Sequence, residues 1–391
     1  MAKRKGIESS IALADSVAMC RVDAISAYPI TPQTHIVEHL SEWVNDGELD
    51  AEFLPVESEH SAMSAACGMS AVGARTFTAT SSQGLALMHE ILFLTPSLRL
   101  PVVMAVANRA LAGPISIWND HSDIMAERDI GWVQIFAENG QECFDLTPLC
   151  FKVAEDKRVH LPMILNFDGF IVSHMIEPIE YWTQEQFDHY LPPFEPQIRL
   201  DTRAPSVMGA VGVPEIYYEA KMAQHNALLD SKAVVVEALE SLEKEIGRKY
   251  NIVESYRADD ADVVMVLLGS LVETCMTAVD NLREKGLKVG IVRPRLWRPF
   301  PKEEFIAALG NIPVLGICDR SFTFGAAHHP VASEIKSALY DSEKRPIICE
   351  YMIGIGGRDI RVQEFEQMFM QLLEVKTTGK ALPIQYVGVR S

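Results

Sequence analysis

Short apolar runs alternate with helical patterns along the first half of the chain. Between the runs, apolar residues recur at i, i+3/4 and i+7, as in Ile36, Val37, Leu40, Trp43 and Val44, which is typical of one buried helix face. This alternation predicts parallel strands joined by crossover helices, and therefore an α/β layered sheet. The predicted strands are residues 23–28, 51–56, 76–80, 102–107, 132–137 and 160–167.

The pattern changes near residue 178. Prolines interrupt residues 178–201, which we interpret as a wrapped connecting arm. Residues 215–250 are predicted to be a long polar helical stretch, either one helix or a helical hairpin. A second α/β unit follows, with predicted strands at residues 262–268, 288–292, 313–318 and 345–350. We therefore expect two domains, residues 1–250 and 251–391, with the boundary near residues 250–258.

Composition and charge narrow the possible partners. The 391 residues are 48% hydrophobic, enough for two buried cores, and carry a net charge of −18, which disfavours binding to nucleic acid. No apolar run approaches the ~20 residues of a membrane span, and the basic start of the chain is not followed by an apolar stretch of signal length. We expect a cytoplasmic protein that binds neither nucleic acid nor membrane.

The cysteines are scattered and form no CxxC pair. This spacing argues against an iron–sulfur cluster or a zinc site, so no metal ligands are predicted in this chain. Isolated thiols suit a reducing compartment. If the protein moves electrons, the metal centres must lie on other chains. The seven cysteines are Cys20, Cys67, Cys143, Cys150, Cys275, Cys318 and Cys349.

Ligands of an open parallel sheet bind beyond the carboxyl ends of its strands. After the first strand, Thr31 suits a helix N-cap and Pro32 the first helical position, which would present the helix dipole to an anion. A plain capped helix start is the alternative. After the second strand, Glu59 opens a helix rich in small residues. It either complements the helix dipole or serves a ligand.

The third predicted strand is followed by a polar turn, and the fourth by an arginine. Ser81, Ser82 and Gln83 lie in a turn that suits backbone N–H donation. Asn108 and Arg109 follow a wholly apolar strand, where an unpaired charge would be very costly. The partner of Arg109 is therefore either a protein carboxylate or a substrate carboxylate, whose geometry the guanidinium matches. Together the four strand ends predict a site for a small carboxylic acid and a cofactor.

These motifs resemble the alpha subunit of pyruvate:ferredoxin oxidoreductase and related 2-oxoacid oxidoreductases. They occur in the family's order over nearly the whole chain. The resemblance implies a thiamine-diphosphate-binding, pyrimidine-type, doubly wound domain followed by a transketolase C-terminal-like α/β domain. The matching segments are YPITP (28–32), VESEHSA (56–62), TATSSQGL (78–85), ANRA (107–110), IWNDHSD (117–123), RPFP (298–301) and GIGGRD (354–359).

The resemblance also implies roles for the candidate residues. Glu59 would contact N1′ of the thiamine aminopyrimidine and promote proton transfer at the cofactor. Thr31, Arg109 and Asn108 would hold the 2-oxoacid. The cofactor would further contact Pro29, Ile30, Ser81, Ser82 and Gln83. The reaction implied is oxidative decarboxylation, in which coenzyme A takes the acyl group.

Partner subunits are implied because the chain lacks a GDG…N motif for the diphosphate, Asp168-Gly169 having no leading glycine. The diphosphate and Mg²⁺ would lie on a beta subunit, and 4Fe–4S clusters on gamma and delta subunits. Electrons would pass to ferredoxin or to an NAD-reducing subunit. The alternatives are a branched-chain or aryl 2-oxoacid with NAD as acceptor, and, from another class, a non-catalytic scaffold subunit.

Overall fold

The first half of the chain forms the alternating elements that its pattern predicts. The computed structural model describes residues 3–390. The first unit contains, in chain order, β1 (Lys3–Glu8), α1 (Ser9–Met19), β2 (Ala24–Ala27), α2 (Thr34–Asn45), β3 (Glu52–Pro55), α3 (Glu59–Ala71), β4 (Thr76–Thr80), α4 (Ser82–Leu87), α5 (His89–Ser97), β5 (Val103–Asn108), α6 (Ser122–Ala126), β6 (Val133–Phe136), α7 (Gly140–Glu155), β7 (Met163–Asp168), β8 (Ile176–Tyr181), α8 (Gln184–Tyr190) and α9 (Pro214–Ile246).

The second unit is smaller and has its own sheet. Its elements are β9 (Val253–Tyr256), β10 (Val263–Val266), α10 (Leu271–Glu284), β11 (Val289–Pro294), β12 (Leu296–Arg298), α11 (Lys302–Leu309), β13 (Val314–Asp319), α12 (Pro330–Leu339), β14 (Ile347–Met352), a 3-10 turn (Ile355–Gly357), α13 (Val362–Thr378) and β15 (Gln385–Tyr386). Every predicted strand of both units is present, at bounds within three residues of the prediction.

The first sheet has the order β12-β6-β7-β5-β4-β2-β3, and its strands are parallel except for β12. Helix α2 packs on one face and α3 on the other, so the sheet is doubly wound as predicted. The second sheet has the order β15-β14-β13-β10-β11-β9, with only β9 antiparallel to its neighbour. The predicted α/β fold class is confirmed.

The two units are joined in several places, among them a strand pairing and a shared apolar layer. Strand β12 leaves the second unit to pair with β6 of the first sheet. Met63 of α3, Trp132 before β6 and Leu315 of β13 belong to one apolar layer. The two units therefore pack on each other through a shared core, although each has its own sheet.

The predicted arm and helical stretch differ from expectation. Residues 178–201 include most of β8, which pairs with β1, and the short helix α8, which begins with a capping box of Thr183 and Gln186. The buried rings of Trp182 and Phe187 anchor this segment. The suggestion of a helical hairpin is wrong: α9 is one helix of 33 residues, because no glycine and no interior proline interrupts it before Gly247. None of the helices described here has the length and apolar character needed to cross a bilayer.

Candidate active site

The order of the strands creates a switch point between β2 and β4. From β2 the chain crosses through α2 to β3 on one side, whereas from β4 it continues through α4 and α5 to β5 on the other. Loops that diverge in this way leave a crevice beyond the strand ends, where open α/β sheets bind ligands. Thr31 follows β2 and Ser81 follows β4, so both lie at this crevice.

Glu59 is the first residue of α3, directly after the N-cap Ser58. Its side chain is buried, with 6% exposed, yet no hydrogen bond or ion pair within residues 3–390 engages its carboxyl group. Gly84 lies against that group: a Cβ built at Gly84 would be 2.7 Å from Glu59 Oε1 and would collide with Thr80 Oγ1. Glycine is therefore required at position 84 to leave room for the carboxyl group.

Two hydroxyl groups at the end of β4 also lack partners, and that of Thr80 lies on the same side of Gly84 as the Glu59 carboxyl group. Thr80 Oγ1 and Ser81 Oγ are buried and make no hydrogen bond to the described residues. A buried polar group without a partner costs about 1–3 kcal/mol. The end of β4 thus holds three polar groups that a polar ligand would satisfy.

The guanidinium of Arg109 has no carboxylate partner within the described chain. Its Nε donates to the Ser116 carbonyl (2.8 Å) and its Nη1 to the Thr31 carbonyl (2.8 Å). Burial lowers the pKa of the guanidinium, while the charge of Asp123 acts in the opposite direction. The Nη2 group makes no hydrogen bond among residues 3–390. Arg109 therefore retains donors for a ligand, and its contact to Thr31 joins the ends of β5 and β2.

Asp123 ties the remaining strand ends together. Its Oδ2 accepts from the backbone N–H groups of Ser82 (3.0 Å) and Arg109 (2.9 Å), and its Oδ1 from Ile124 N–H (2.7 Å) and Asn108 Nδ2 (3.2 Å). Burial raises the pKa of Asp123 to about 7 despite these donors. Ser82 has a left-handed backbone (φ 49°), which costs of order 1–3 kcal/mol in a non-glycine residue. The hydrogen bond to Asp123 helps to hold it there.

Several predicted site residues take positions that the sequence did not indicate. Thr31 is not an N-cap: α2 begins at Thr34 after Gln33, because Thr31 and Pro32 form a turn that is continued by Gln33 N–H bonding to the Ile30 carbonyl. Thr31 and Pro29 are exposed and Ile30 is half-buried, so this loop is open to a ligand.

The side chains of the turn after β4 and of the end of β5 differ in burial: those of Ser82 and Asn108 are buried, whereas that of Gln83 is half-buried. The Ser82 hydroxyl is buried and donates to the Ala110 carbonyl (2.6 Å), and the Asn108 amide bonds to Asp123 and Asn166. Gln83 is half-buried, and its Oε1 lies 2.6 Å from Ser82 Oγ. Ser82 and Asn108 therefore order the site from inside.

Asp168 lies at the junction of the two units. It contacts His121 Nε2 (2.8 Å) and accepts from Arg320 Nη1 (2.7 Å) and Ser270 N–H (2.8 Å). Burial raises its pKa, but the charges of Arg320 and His121 outweigh this and hold the pKa well below its usual value. These contacts fix the second unit against the end of β7, close to the candidate site.

The sequence reasoning missed Asp123 and Gly84 as site residues. The role of each residue depends on contacts between distant segments. Asp123 accepts hydrogen bonds from three segments of the chain, and Gly84 leaves room for the Glu59 carboxyl group. The available signals were that Asp123 closes the matching segment IWNDHSD (117–123) and that Gly84 lies in the matching segment TATSSQGL (78–85).

Two family models match the chain. One, described as "Pyruvate flavodoxin/ferredoxin oxidoreductase, thiamine diP-bdg", matches residues 16–240 and contains every candidate residue named above. The other, "Pyruvate:ferredoxin oxidoreductase core domain II", matches residues 261–365.

Curated relatives match along almost the full length. "Pyruvate synthase subunit PorA" of Pyrococcus abyssi is 43% identical over 389 residues, 99% of this chain and 98% of its own. The subunit of the same name from Thermotoga maritima is 45% identical, over 94% of each chain. "Ketoisovalerate oxidoreductase subunit VorA" of Pyrococcus abyssi is 41% identical, over 96% of this chain and 95% of its own.

Solved structures share the fold. A 2-oxoglutarate:ferredoxin oxidoreductase from Magnetococcus marinus, solved with 2-oxoglutarate, coenzyme A and succinyl-CoA bound, superposes with a TM-score of 0.70 at 19% identity. This match covers 95% of the present chain and 66% of that chain. A split-gene transketolase gives a TM-score of 0.57 at 11% identity, over 95% of the present chain and 100% of that chain.

Proposed function

The chain belongs to the pyruvate flavodoxin/ferredoxin oxidoreductase family, and we propose that it is the alpha subunit of a thiamine-diphosphate-dependent pyruvate oxidoreductase. In this reaction a 2-oxoacid and coenzyme A give acyl-CoA and carbon dioxide, and the electrons released pass to ferredoxin. The near full-length identity of 43–45% to pyruvate synthase subunits supports pyruvate as the substrate.

One observation carries the proposal: a single network joins four strand ends around unpaired polar groups. Thr31 accepts from Arg109, Arg109 and Ser82 both donate to Asp123, and Gly84 in the same helix as Ser82 abuts Glu59. This edge of the sheet therefore offers the Arg109 guanidinium to a ligand carboxylate and the Glu59 carboxyl group to a heterocyclic ring.

The residues at the end of β4 fit the aminopyrimidine of thiamine diphosphate. Glu59 has no protein partner, and Thr80 and Ser81 have unpaired buried hydroxyls, so a ring with several nitrogen atoms would satisfy them. When bound, thiamine diphosphate supplies a nucleophilic carbon and accepts the electron pair released with carbon dioxide. Glu59 would hold a proton at N1′, and Pro29, Ile30, Ser81 and Gln83 would line the ring.

Arg109 and Thr31 would bind the substrate. The free donors of Arg109 suit a carboxylate, and the exposed Thr31 hydroxyl lies on the loop whose carbonyl Arg109 already holds. Asp123, Ser82 and Asn108 would act as positioning residues, because they fix the backbone on either side of the site.

The remaining parts of the enzyme would come from partners. All seven thiols are buried, and none belongs to a group of metal ligands within residues 3–390. The diphosphate and Mg²⁺ are therefore assigned to a beta subunit and 4Fe–4S clusters to gamma and delta subunits, in a cytoplasmic complex with ferredoxin or an NAD-reducing subunit as acceptor.

The test is a substrate panel on the complex assembled from this chain and the polypeptides that co-purify with it. Pyruvate, 2-oxoisovalerate, phenylglyoxylate and 2-oxoglutarate are each supplied with coenzyme A and an electron acceptor. We expect the highest kcat/KM for pyruvate and strict dependence on thiamine diphosphate. Preference for 2-oxoisovalerate would instead favour the branched-chain alternative. The 41% identity to a ketoisovalerate oxidoreductase subunit is the reason for including this substrate in the panel. No thiamine-dependent oxidation of any 2-oxoacid would overturn the proposal.

A further inference from the structure

Three potential metal ligands from distant parts of the chain meet near the start of α1. Glu8, His35 and His174 each place a ligand atom within 4.8 Å of the other two. Glu8 Oε1 lies 2.6 Å from His35 Nδ1, and the rings of His35 and His174 are 4.7 Å apart. All three residues are half-buried, so the cluster is ordered yet accessible to an ion.

The backbone around the cluster is firmly fixed. The N–H groups of Ser9 and Ser10, at the start of α1, donate to the carbonyls of Met175 and Ser173 (3.0 Å each), which holds Glu8 beside His174. Glu8 occupies the N-cap position of α1, but its side chain makes no capping hydrogen bond. Its carboxylate therefore remains turned toward the two histidines.

His174 has the environment of a metal-binding imidazole. Ser173 Oγ lies 2.7 Å from His174 Nδ1 and accepts a hydrogen bond from Phe170 N–H (2.7 Å). If Nδ1 carries the proton and donates to Ser173, Nε2 presents its lone pair, as in histidine ligands oriented by an outer partner.

We propose that Glu8, His35 and His174 form a site for one divalent transition-metal ion of the zinc class. Two imidazoles and one carboxylate are the three protein ligands of many zinc sites, with a fourth position left to water. Tetrahedral coordination at about 2.0–2.1 Å requires ligand atoms about 3.3 Å apart, so the Glu8–His35 pair must open slightly as the ion enters.

The position of the site gives the ion a structural role. His35 lies in α2, directly after the Thr31 loop, and His174 lies in the loop after β7. Gly169 in that second loop approaches Pro32 so closely that a Cβ there would lie 2.6 Å from the proline ring. A bound ion would clamp these two loops together beside the candidate active site, without taking part in the reaction.

The experiment uses the full-length chain, stripped with a chelator and titrated with Co²⁺, whose visible absorption reports its coordination. We expect one Co²⁺ per chain, displaced by Zn²⁺, and an increase in the melting temperature with Zn²⁺. His35→Ala and His174→Ala should each weaken binding by ~10²-fold or more, since even the loss of an outer partner costs 10–100-fold.

The matched control is His189→Ala. His189 and Glu245 are also 2.6 Å apart, but they belong to no three-ligand group within residues 3–390. This variant should bind Co²⁺ as the wild type does. Equal binding by all variants, or less than one tightly bound ion in the wild type, would overturn the proposal. Circular dichroism checks folding, and Glu8→Gln provides the same test if a histidine variant does not fold.

Discussion

Replacing Arg109 by lysine separates substrate recognition from structural support. The side chain donates to two backbone carbonyls, of Ser116 and Thr31, and to no carboxylate in the described chain. Lysine keeps the positive charge but loses the planar arrangement of donors. Folding should therefore survive, whereas binding of the 2-oxoacid carboxylate should weaken.

The expected loss follows from the hydrogen bonds involved. A charge-assisted hydrogen bond contributes about 1.5–3 kcal/mol, which corresponds to a decrease in kcat/KM of about 10- to 150-fold. The effect on stability should be smaller than the ~3–5 kcal/mol seen when a buried ion pair is broken, because Arg109 has no such pair.

The assay is steady-state kinetics of the assembled complex with pyruvate, together with thermal melting of the chain. Arg99→Lys is the matched control, because the half-buried Arg99 also donates to two backbone carbonyls, those of Val159 and His160, outside the site. It should alter the melting temperature but not KM. A large drop in melting temperature for Arg109→Lys, with KM unchanged in the surviving enzyme, would refute the assigned role.

Three further predictions concern the partners and the interior of the site. The chain expressed alone should show neither 2-oxoacid oxidation nor an iron–sulfur spectrum, and activity of the pure chain would contradict the assignment of clusters to partners. Burial raises the pKa of Asp123 to about 7, so between about pH 4 and 7 the native state keeps this proton while the unfolded chain loses it, and the native state loses stability as the pH rises. The stability of wild type relative to Asp123→Asn should therefore fall by up to about 4 kcal/mol over that range, measured by urea unfolding, whereas parallel pH profiles would contradict this reasoning. Gly84→Ala should displace the Glu59 side chain, lower the free energy of unfolding by about 1–3 kcal/mol and weaken thiamine diphosphate binding. An unchanged midpoint in a thiamine diphosphate titration of the complex would refute the close approach of Gly84 to Glu59.

Secondary structure was predicted best from the sequence where apolar residues recur in the regular pattern of a strand or a helix. Most strands of the two large sheets were predicted, because each of these is a short apolar run followed by a turn. Strands β1, β8, β9, β12 and β15 were missed because they are short or polar and depend on a partner strand for their stability. The single helix α9 was predictable, since residues 215–246 contain no glycine or proline at which the chain would reverse.

The site was predicted as a set of strand ends, not as a geometry. The positions of Glu59, Thr31 and Arg109 follow from the rule that carboxyl ends of parallel strands share one edge. The lack of a carboxylate bonded to the Arg109 guanidinium and the four donors around Asp123 could not be predicted, because they depend on loops folding back from residues 110–123. Local patterns carry no information on such contacts.

The most direct test of the central claim is the turnover number of the complex with Glu59→Gln. Glu57→Gln is the matched control, because Glu57 lies two residues earlier, is exposed, and its carboxylate hydrogen-bonds only to Ser61 among residues 3–390. If Glu59 holds a proton at the cofactor, Glu59→Gln should fold normally and lose ~10²-fold or more in turnover, while Glu57→Gln stays near wild type. Unchanged turnover of a folded Glu59→Gln complex would contradict the account and favour a scaffold subunit.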